Sequence, residues 1–485
     1  MTSSFAPPPP RPELPASPRH VHLTAIAGVG MASLAGLFRE AGYHVTGSDA
    51  GIYPPMSTIL ASLGISVMEG FRAENLSPRP DLVVVGNAMS RGNPEVEAML
   101  ESGIPYCSMP EALMRFFIDA RRRAVVTGTH GKTTSSALLA WVLHETGGDP
   151  GFMIGGAAKN FPYNFRVGTG PWFVTEGDEY DTAFFDKGPK FLHYAPDALL
   201  LTGVEFDHAD IYRDLAHVKQ AFTELLRRTA ATSPVVVSAD FPEAGAVIAA
   251  SGRDAITFGT AADASWRVES VQDTGDATRF TVVTRDGRRL DARCPGPGAM
   301  NVANALGVLA LAAAIGVPEA GALDAIARFR GVRRRQEVIG AGRGLVLIDD
   351  FAHHPTAVAG TLAALRSRYP ERRLWALFEP RSNTTRRKVF QEAFATAFGA
   401  ADRVTFAAVH RRDELPESER LSTPEIVRVL VAAGRRAETC EQVDDICTLV
   451  AREARAGDVI VLMSNGGFGG LAAKLLVTLE LDPVP

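Results

Sequence analysis

Cysteine is scarce in this chain, and the few present follow no pairing pattern. Cys107, Cys294, Cys440 and Cys447 are the only four in 485 residues, and none falls in a CxxC spacing. That excludes a disulfide-stapled secreted scaffold and a thiolate zinc module, and it predicts a reducing, cytoplasmic setting. Long apolar runs are missing as well. The most aliphatic stretch, Ala305–Val317, falls short of the ~18 residues a membrane span needs and reads as a buried helix. A large excess of charge is also absent, since 50 Lys and Arg against 55 Asp and Glu leave a formal charge of -5. Neither a membrane nor, through chain-wide electrostatics, a nucleic acid is expected as partner, while a local basic pocket remains compatible. The N-terminal stretch 1–19 lacks the apolar core of a secretory signal; its seven prolines between Pro7 and Pro18 predict a disordered, solvated tail.

What is present is an α/β pattern repeated three times, and at about 150 residues per domain the length agrees with three domains. The first unit begins with HVHLTAIAGVGMASLAGLFREAGYHVTGSD: a strand, a glycine turn, a helix to about Glu40 and a strand ending near Asp49. A helix around Glu111–Asp119 and a solvated linker at Arg121–Arg123 are expected to close it. The second unit begins at AVVTGTHGKTTSSALLAWVLHETG and runs through PWFVTEGD, DALLLTGVEFDH and PVVVSAD. Alternating strands between Trp266 and Cys294, with a hairpin turn at Asp286-Gly287, precede a helix over Met300–Ile315. The third unit carries GLVLIDD, RLWALFEP, RVTFAAV and DVIVLMSN, and its last helix follows the cluster Gly466–Gly470. The expected boundaries are 1–19, 20–122, 123–340 and 341–485.

Gly128-Thr129-His130-Gly131-Lys132-Thr133-Thr134 is the strongest motif. It lies between a strand and a helix, which aims backbone N–H groups and a helix N-terminus at phosphate. Lys132 is then placed to neutralise β/γ-phosphates and Thr133 to put a hydroxyl on magnesium. The glycine that usually opens a P-loop is absent, because Val126 stands in its place. The turn Gly28-Val29-Gly30-Met31-Ala32-Ser33, with Asp49 downstream, occupies the place of a dinucleotide fingerprint, but Ser33 replaces the third glycine. NAD and another phosphorylated ligand both fit it. Glu176, Asp178, Glu179 and Asp181, then Asp207, His208 and Asp210, fall near strand ends, where a parallel sheet faces its ligand, so they are candidates to hold magnesium.

GTHGKTT, EGDEYD, EFDHADIY, GAMNVANA, GVRRRQE and DDFAHHPT occur in the order found in the Mur ligases, and the chain resembles that family from about His20 onward. The resemblance implies a Rossmann-like N-terminal domain for a UDP-sugar, a P-loop ATPase-like central domain and a Rossmann-like C-terminal domain for the peptide. It implies ATP-driven amide synthesis on UDP-N-acetylmuramate, with ATP and Mg2+ as cofactors. By the same resemblance Lys132, Glu176, His208, Arg335 and Asp350 are catalytic, and Thr133, Glu176 and His208 hold metal. Gly128 to Thr134, Asn301, Asn304, Arg335 and Asp350 contact the nucleotide. Gly28, Gly30, Met31, Ser33, Asp49, Asn87, His353, Arg381 and Asn465 contact the other substrates. Met300 departs from the histidine many relatives carry, and Lys187 and Lys190 lie where some carry a carbamylated lysine. Within the family GNAMSRGNPE, EGDEYDTAFFDKGPKF, EPRSNTTRR and SNGGFGG resemble members that attach the recycled murein tripeptide L-alanyl-γ-D-glutamyl-meso-diaminopimelate. Addition of L-alanine alone is the alternative within the family. A dehydrogenase leaves the P-loop and third unit without a role, and a non-catalytic nucleotide-binding protein has no dedicated support. Oligomeric state has no signature.

Overall fold

The computed structural model describes residues 11–52 and 56–484, and three α/β units follow one another along the chain. In the first, five parallel strands lie in the order Val67–Glu69, His44–Asp49, His20–Thr24, Leu82–Val85, Tyr106–Ser108. Val21, Leu23 and Leu82 to Val85 are completely buried, as parallel strands covered on both faces must be. Helix Val29–Glu40 packs Leu34, Leu37 and Phe38 onto this sheet. The expected helix after Ser108 starts at Met109 under a Ser108–Glu111 capping box and widens into a π turn at Met114–Ile118.

The tail expectation holds a surprise. Residues 1–10 lie outside the described residues, but Arg11 is anchored rather than solvated: its Nη1 donates to Glu111 at 2.8 Å and its guanidinium lies 4.5 Å from the Phe185 ring. Arg121–Arg123 is likewise no linker. Arg122–Thr127 is a strand, Arg123 pairs with Asp197 at 2.8 Å, and Arg121 donates to the carbonyls of Val167 and Gly168. Each arginine ties the sheet to a loop beside it.

The central sheet has ten strands. Its parallel heart runs Val235–Ser238, Ala198–Leu201, Arg122–Thr127, Trp172–Gly177, and the expected meander Trp266–Asp273, Ala277–Val283, Arg289–Pro295 extends one side. Helices Lys132–Glu145 and Ala299–Ala314 cover one face through Leu139, Val142, Leu306 and Leu309. The seven-stranded third sheet is ordered Arg436–Cys440, Arg403–Ala407, Arg373–Phe378, Asp458–Met463, Leu345–Asp350, Glu337–Gly342, Asp482–Pro483. Glu337–Gly342 pairs antiparallel with Leu345–Asp350 through a turn at Arg343-Gly344, so the third unit starts before residue 337 rather than at 341. The break is a hairpin inside that sheet, not a domain boundary. As a result Arg333-Arg334-Arg335 sits in the crossing between the second and third units.

Loops following strand C-termini of the two larger sheets meet each other. Ala209 N–H donates to Thr384 Oγ1 at 3.0 Å and Asn383 Nδ2 donates to Asp210 at 2.8 Å. Arg333 N–H donates to Ala157 O at 2.9 Å. The first unit is seated against the second by close packing of Gly36 on Phe165, where any Cβ on residue 36 would overlap the ring. Gly36→Ala should therefore cost about 1–3 kcal/mol. Thermal melts should show the loss, and Phe165→Leu should recover most of it; a single variant melting like the parent would contradict this packing.

Candidate active site

The phosphate loop is held by its glycines. Gly128 (φ 122°) and Gly131 (φ 78°) are left-handed, and a Cβ on them would strike the Gly203 backbone and Asn304 Oδ1 respectively. Because Gly128 makes the tight turn itself, the missing earlier glycine at Val126 costs nothing, and Val126 is free to be a core residue. Thr129 braces the loop from outside: its N–H donates to Gly203 O at 2.9 Å, and its hydroxyl accepts from Glu205 N–H at 2.9 Å. Asn304 Oδ1 accepts from Ser135 at 3.2 Å, and Asn301 Nδ2 donates to Pro297 O at 2.9 Å. Thr134 is half-buried in the first helical turn. Met300 packs its thioether on Gly360 of the third unit.

Lys132 Nζ donates to Gly128 O at 2.7 Å and to both oxygens of the buried Glu179 at 3.0 and 2.9 Å. Burial works against the ammonium, but Glu179, Asp178 and Glu176 together raise its pKa. Thr133 Oγ1 donates to Glu176 Oε2 at 3.2 Å, and Gly155 N–H donates to the other oxygen at 2.6 Å. Burial raises the Glu176 carboxyl, so its ionised form gains from an arriving cation. A threonine hydroxyl beside a carboxylate is a hard oxygen set, which suits magnesium.

Asp178, Glu179 and His208 form a second cluster, with ligand atoms within 4.8 Å of one another. His208 Nε2 lies 3.3 Å from Glu179 Oε1. Burial opposes the imidazolium, but the bond to Glu179 and the charges of Asp207 and Asp178 outweigh it and raise its pKa to about 9. Of the acids named with His208 as candidates to hold magnesium, Glu179 is the one its ring meets. Lys190 pairs with Asp178 at 2.7 Å, whereas Lys187 pairs with Asp181 at the surface.

The third unit delivers Arg335 and Asp350 to the same place. The Arg335 guanidinium lies 4.7 Å from the Phe351 ring, and the opposite charges of Asp350 and Glu176 act on it. Asp350 is buried and accepts from the N–H groups of Gln336 and Ala352, each at 2.7 Å; burial raises its pKa. Arg334 instead fastens the crossing, bonding Asp349 at 3.1 Å and the carbonyls of Ser464 and Gly466 at 2.7 Å.

Beside this charged floor lies a cleft of about 410 Å³, lined by His208, Asp210, His353, Arg381, Arg411 and Asn465 among others. Arg381 is held by Glu379 at 3.3 Å, whose other oxygen accepts from Ser464 at 2.5 Å. Asn465 Oδ1 is buried without a partner in the described residues, an acceptor left for a donor. Arg386 also lines the cleft, but its Nη1 and Nη2 are engaged by His410 O, Glu414 and Asn383, while its buried Nε has no partner among the described residues.

In the first unit the Gly28–Gly30 turn opens helix Val29–Glu40, braced by Asp49, which accepts from the N–H groups of Ala27 and Gly51 at 2.9 and 3.0 Å. Two expectations there are corrected. Met31 is in the core, and Ser33 is buried, donating to Val29 O and accepting from Asn164 Nδ2, both at 2.7 Å. Their positions on the inner helix face turn these side chains away from any ligand at the turn. Asn87 Nδ2 donates to Asp181 O at 2.7 Å, joining the first unit to the EGDEYD segment.

Three consecutive matches span these three units. Residues 20–121 match the Mur ligase family catalytic domain, 126–312 the Mur ligase middle domain, and 334–466 the Mur ligase glutamate ligase domain. The chain belongs to the Mur ligase family. It is 39% identical over 465 residues to the Escherichia coli (strain K12) UDP-N-acetylmuramate–L-alanyl-γ-D-glutamyl-meso-2,6-diaminoheptandioate ligase, covering 94% of this chain and 97% of that one. It is 35% identical over 466 residues to the UDP-N-acetylmuramate–L-alanine ligase of Burkholderia thailandensis, again covering 94% and 97%. A murein peptide ligase from Psychrobacter arcticus 273-4 superimposes with a TM-score of 0.73 at 36% identity, covering 95% of this chain and 98% of that one.

In this Mur ligase, Glu179 contacts both Lys132 and His208, a link that its place among the magnesium candidates did not disclose. Its signal was available: in EGDEYD it stands three residues beyond Glu176, just past the strand end at Gly177. No described helix is long and apolar enough to cross a membrane. Lys132→Met should abolish nucleotide binding and, by leaving the buried Glu179 with His208 as its remaining cationic partner, cost about 1–3 kcal/mol of stability. Adding Glu179→Leu should restore the stability without the binding. Denaturant melts beside nucleotide titration separate the two effects; stability unchanged by Lys132→Met would refute the pairing.

Proposed function

We propose that this Mur ligase joins UDP-N-acetylmuramate to the tripeptide L-alanyl-γ-D-glutamyl-meso-diaminopimelate, using ATP and magnesium, in murein peptide recycling. The observation that carries this reading is one continuous chain of contacts. Lys132 at the phosphate loop bonds Glu179, Glu179 contacts His208, and His208 lines the cleft that holds Arg381. Phosphate chemistry and acceptor binding therefore share a wall. The names of the E. coli and P. arcticus relatives support a peptide acceptor. A cleft of about 410 Å³ with cationic Arg381 and Arg411 is also larger and more basic than a single alanine requires.

The reaction these positions would serve runs in two steps. The lactyl carboxylate of the muramate attacks the γ-phosphorus of ATP, releasing ADP and leaving an acyl phosphate. The peptide amine then attacks the activated carbonyl and phosphate leaves. The first step brings anions together, so it needs cations in a dry site. Lys132 turns from Glu179 toward the phosphates, and Arg335 approaches from the third unit. Thr133 and Glu176 would hold magnesium, which when bound offsets phosphate charge. His208, with Asp178 and Glu179, would hold a second cation or the substrate carboxylate. The Gly28–Gly30 turn offers its helix N-terminus to the UDP pyrophosphate. Arg381 takes a carboxylate of the peptide, kept in position by Glu379, while His353 and Asn465 line the same cleft.

Incubation with ATP, magnesium and UDP-N-acetylmuramate should release ADP with the tripeptide as acceptor and little with L-alanine. Release with alanine alone would replace this reading by the alanine-adding one. Arg381→Ala should raise the tripeptide KM about tenfold, the worth of a charge-assisted hydrogen bond. Arg387→Ala, whose guanidinium is engaged by Glu419 at 2.7 Å, should leave it unchanged.

A further inference from the structure

His130, Glu205 and His354 bring their ligand atoms within 4.8 Å of one another, a spacing a divalent cation would tolerate. Yet each of those atoms already has a partner in the protein. His130 Nε2 lies 2.5 Å from Glu205 Oε2, and Thr356 Oγ1 donates to Glu205 Oε1 at 3.0 Å. His354 Nδ1 accepts from Thr356 N–H at 3.3 Å as the N-cap of helix Pro355–Arg368, and its Nε2 lies 3.2 Å from Phe206 O. The His130 and His354 rings stand 4.7 Å apart. The cluster is a hydrogen-bonded seam between two domains rather than a metal cage.

Glu205 occupies an unusual place in it. Its backbone N–H bonds the Thr129 hydroxyl and its carboxylate bonds His130, so it grips two residues of the phosphate loop. Its second oxygen holds Thr356, six residues beyond Asp350 along a segment that also carries His353. A shift of the phosphate loop is thereby transmitted to the segment that presents Asp350 and His353. Burial lowers the His354 pKa, leaving the ring neutral near pH 7 and able to accept as an N-cap.

We propose that Glu205 is a positioning residue that latches the phosphate loop to the C-terminal domain, so that the acyl phosphate forms only while that domain is docked over it. No covalent step is assigned to Glu205. Its value is geometric, because displacement of a reacting assembly by about 1 Å can cost up to 100-fold in rate. The kinetic half of this inference rests on the ligase reading, whereas the latch itself does not.

Glu205→Ala and Thr356→Val, singly and together in the full chain, test it. Without nucleotide, amide exchange over residues 356–359 should quicken about tenfold in either single variant, and the double variant should be no faster. In the assay with ATP, magnesium, UDP-N-acetylmuramate and tripeptide, both should slow amide formation about tenfold. Both should also release ADP in excess of amide, since the acyl phosphate then meets water. Glu205→Gln, which keeps an acceptor for Thr356, should recover most of the rate. Unchanged exchange, or effects that multiply in the double variant, would overturn the latch. The near-isosteric Thr356→Val keeps the test decisive if Glu205→Ala folds poorly. The exchange result without any acceptor-dependent ADP release by the parent chain would support the latch and defeat the ligase reading instead.

Discussion

The contact between Lys132 and Glu179 is the constraint around which the active site is arranged. Both groups are withdrawn from water, and neither is stable alone there. At about 4 Å and an effective dielectric near 20, a charge pair is worth ~4 kcal/mol, and desolvation consumes much of that. The pair therefore holds the loop shaped while remaining exchangeable for a phosphate that brings more negative charge. Glu179 needs a second partner when Lys132 leaves, and His208 is already beside it. The same logic explains the raised carboxyl of Glu176, which is buried next to a hydroxyl rather than a cation. A positive charge arriving beside Glu176 would favour its ionised form, so the floor of the site is prepared for a cation.

Completion depends on the crossing between the central and C-terminal domains. Arg334 and Gln336 both adopt left-handed backbone there, at φ 59° and 48°, which side-chain-bearing residues seldom accept. Arg334 offsets that strain with bonds to Asp349 and two carbonyls, and the intervening Arg335 is thereby turned out toward Glu176 and Asp350. Three adjacent arginines thus do different things: Arg333 is exposed, Arg334 is a fastener and Arg335 lies over Phe351 in the field of Asp350 and Glu176.

That difference marks the limit of what the chain reveals before folding. Continuous apolar runs foretold the three sheets, because a strand buried on both faces has almost no choice of residue; LVVV and DVIVLM became Leu82–Val85 and Asp458–Met463. The phosphate loop was equally legible, since glycine spacing encodes its backbone directly. Boundaries were less so: EVIGAG carries two glycines and reads as loop, yet pairing with Leu345–Asp350 makes it a strand. Side-chain direction was hardest. Ser33 and Met31 lie in a ligand-like turn but fall on the inner face of the helix, and only the packed neighbour Asn164 decides this for Ser33. Glu179 was hidden by having three acidic neighbours of the same type within EGDEYD; distance to Lys132, not identity, singles it out.

The near-neutral charge of the whole chain now has a local meaning. Several of its arginines are engaged in keeping loops and domains together, as Arg11, Arg121, Arg123, Arg334 and Arg386 show. Those with donors turned toward a cleft are few, chiefly Arg335 over Phe351 and Arg381 beside Glu379. For the proposed reaction, with its triphosphate, UDP-sugar acid and peptide of several carboxylates, a broadly basic pocket would hold products as well as substrates. Pairing each cation with an acid beforehand limits the net attraction to what the substrates add on arrival. Lys132 with Glu179 and Arg381 with Glu379 follow the same rule at the two ends of the site, so each anion must displace a carboxylate to bind. Affinity is thereby moderated at both ends, because a bound anion gains only what exceeds the carboxylate it replaces.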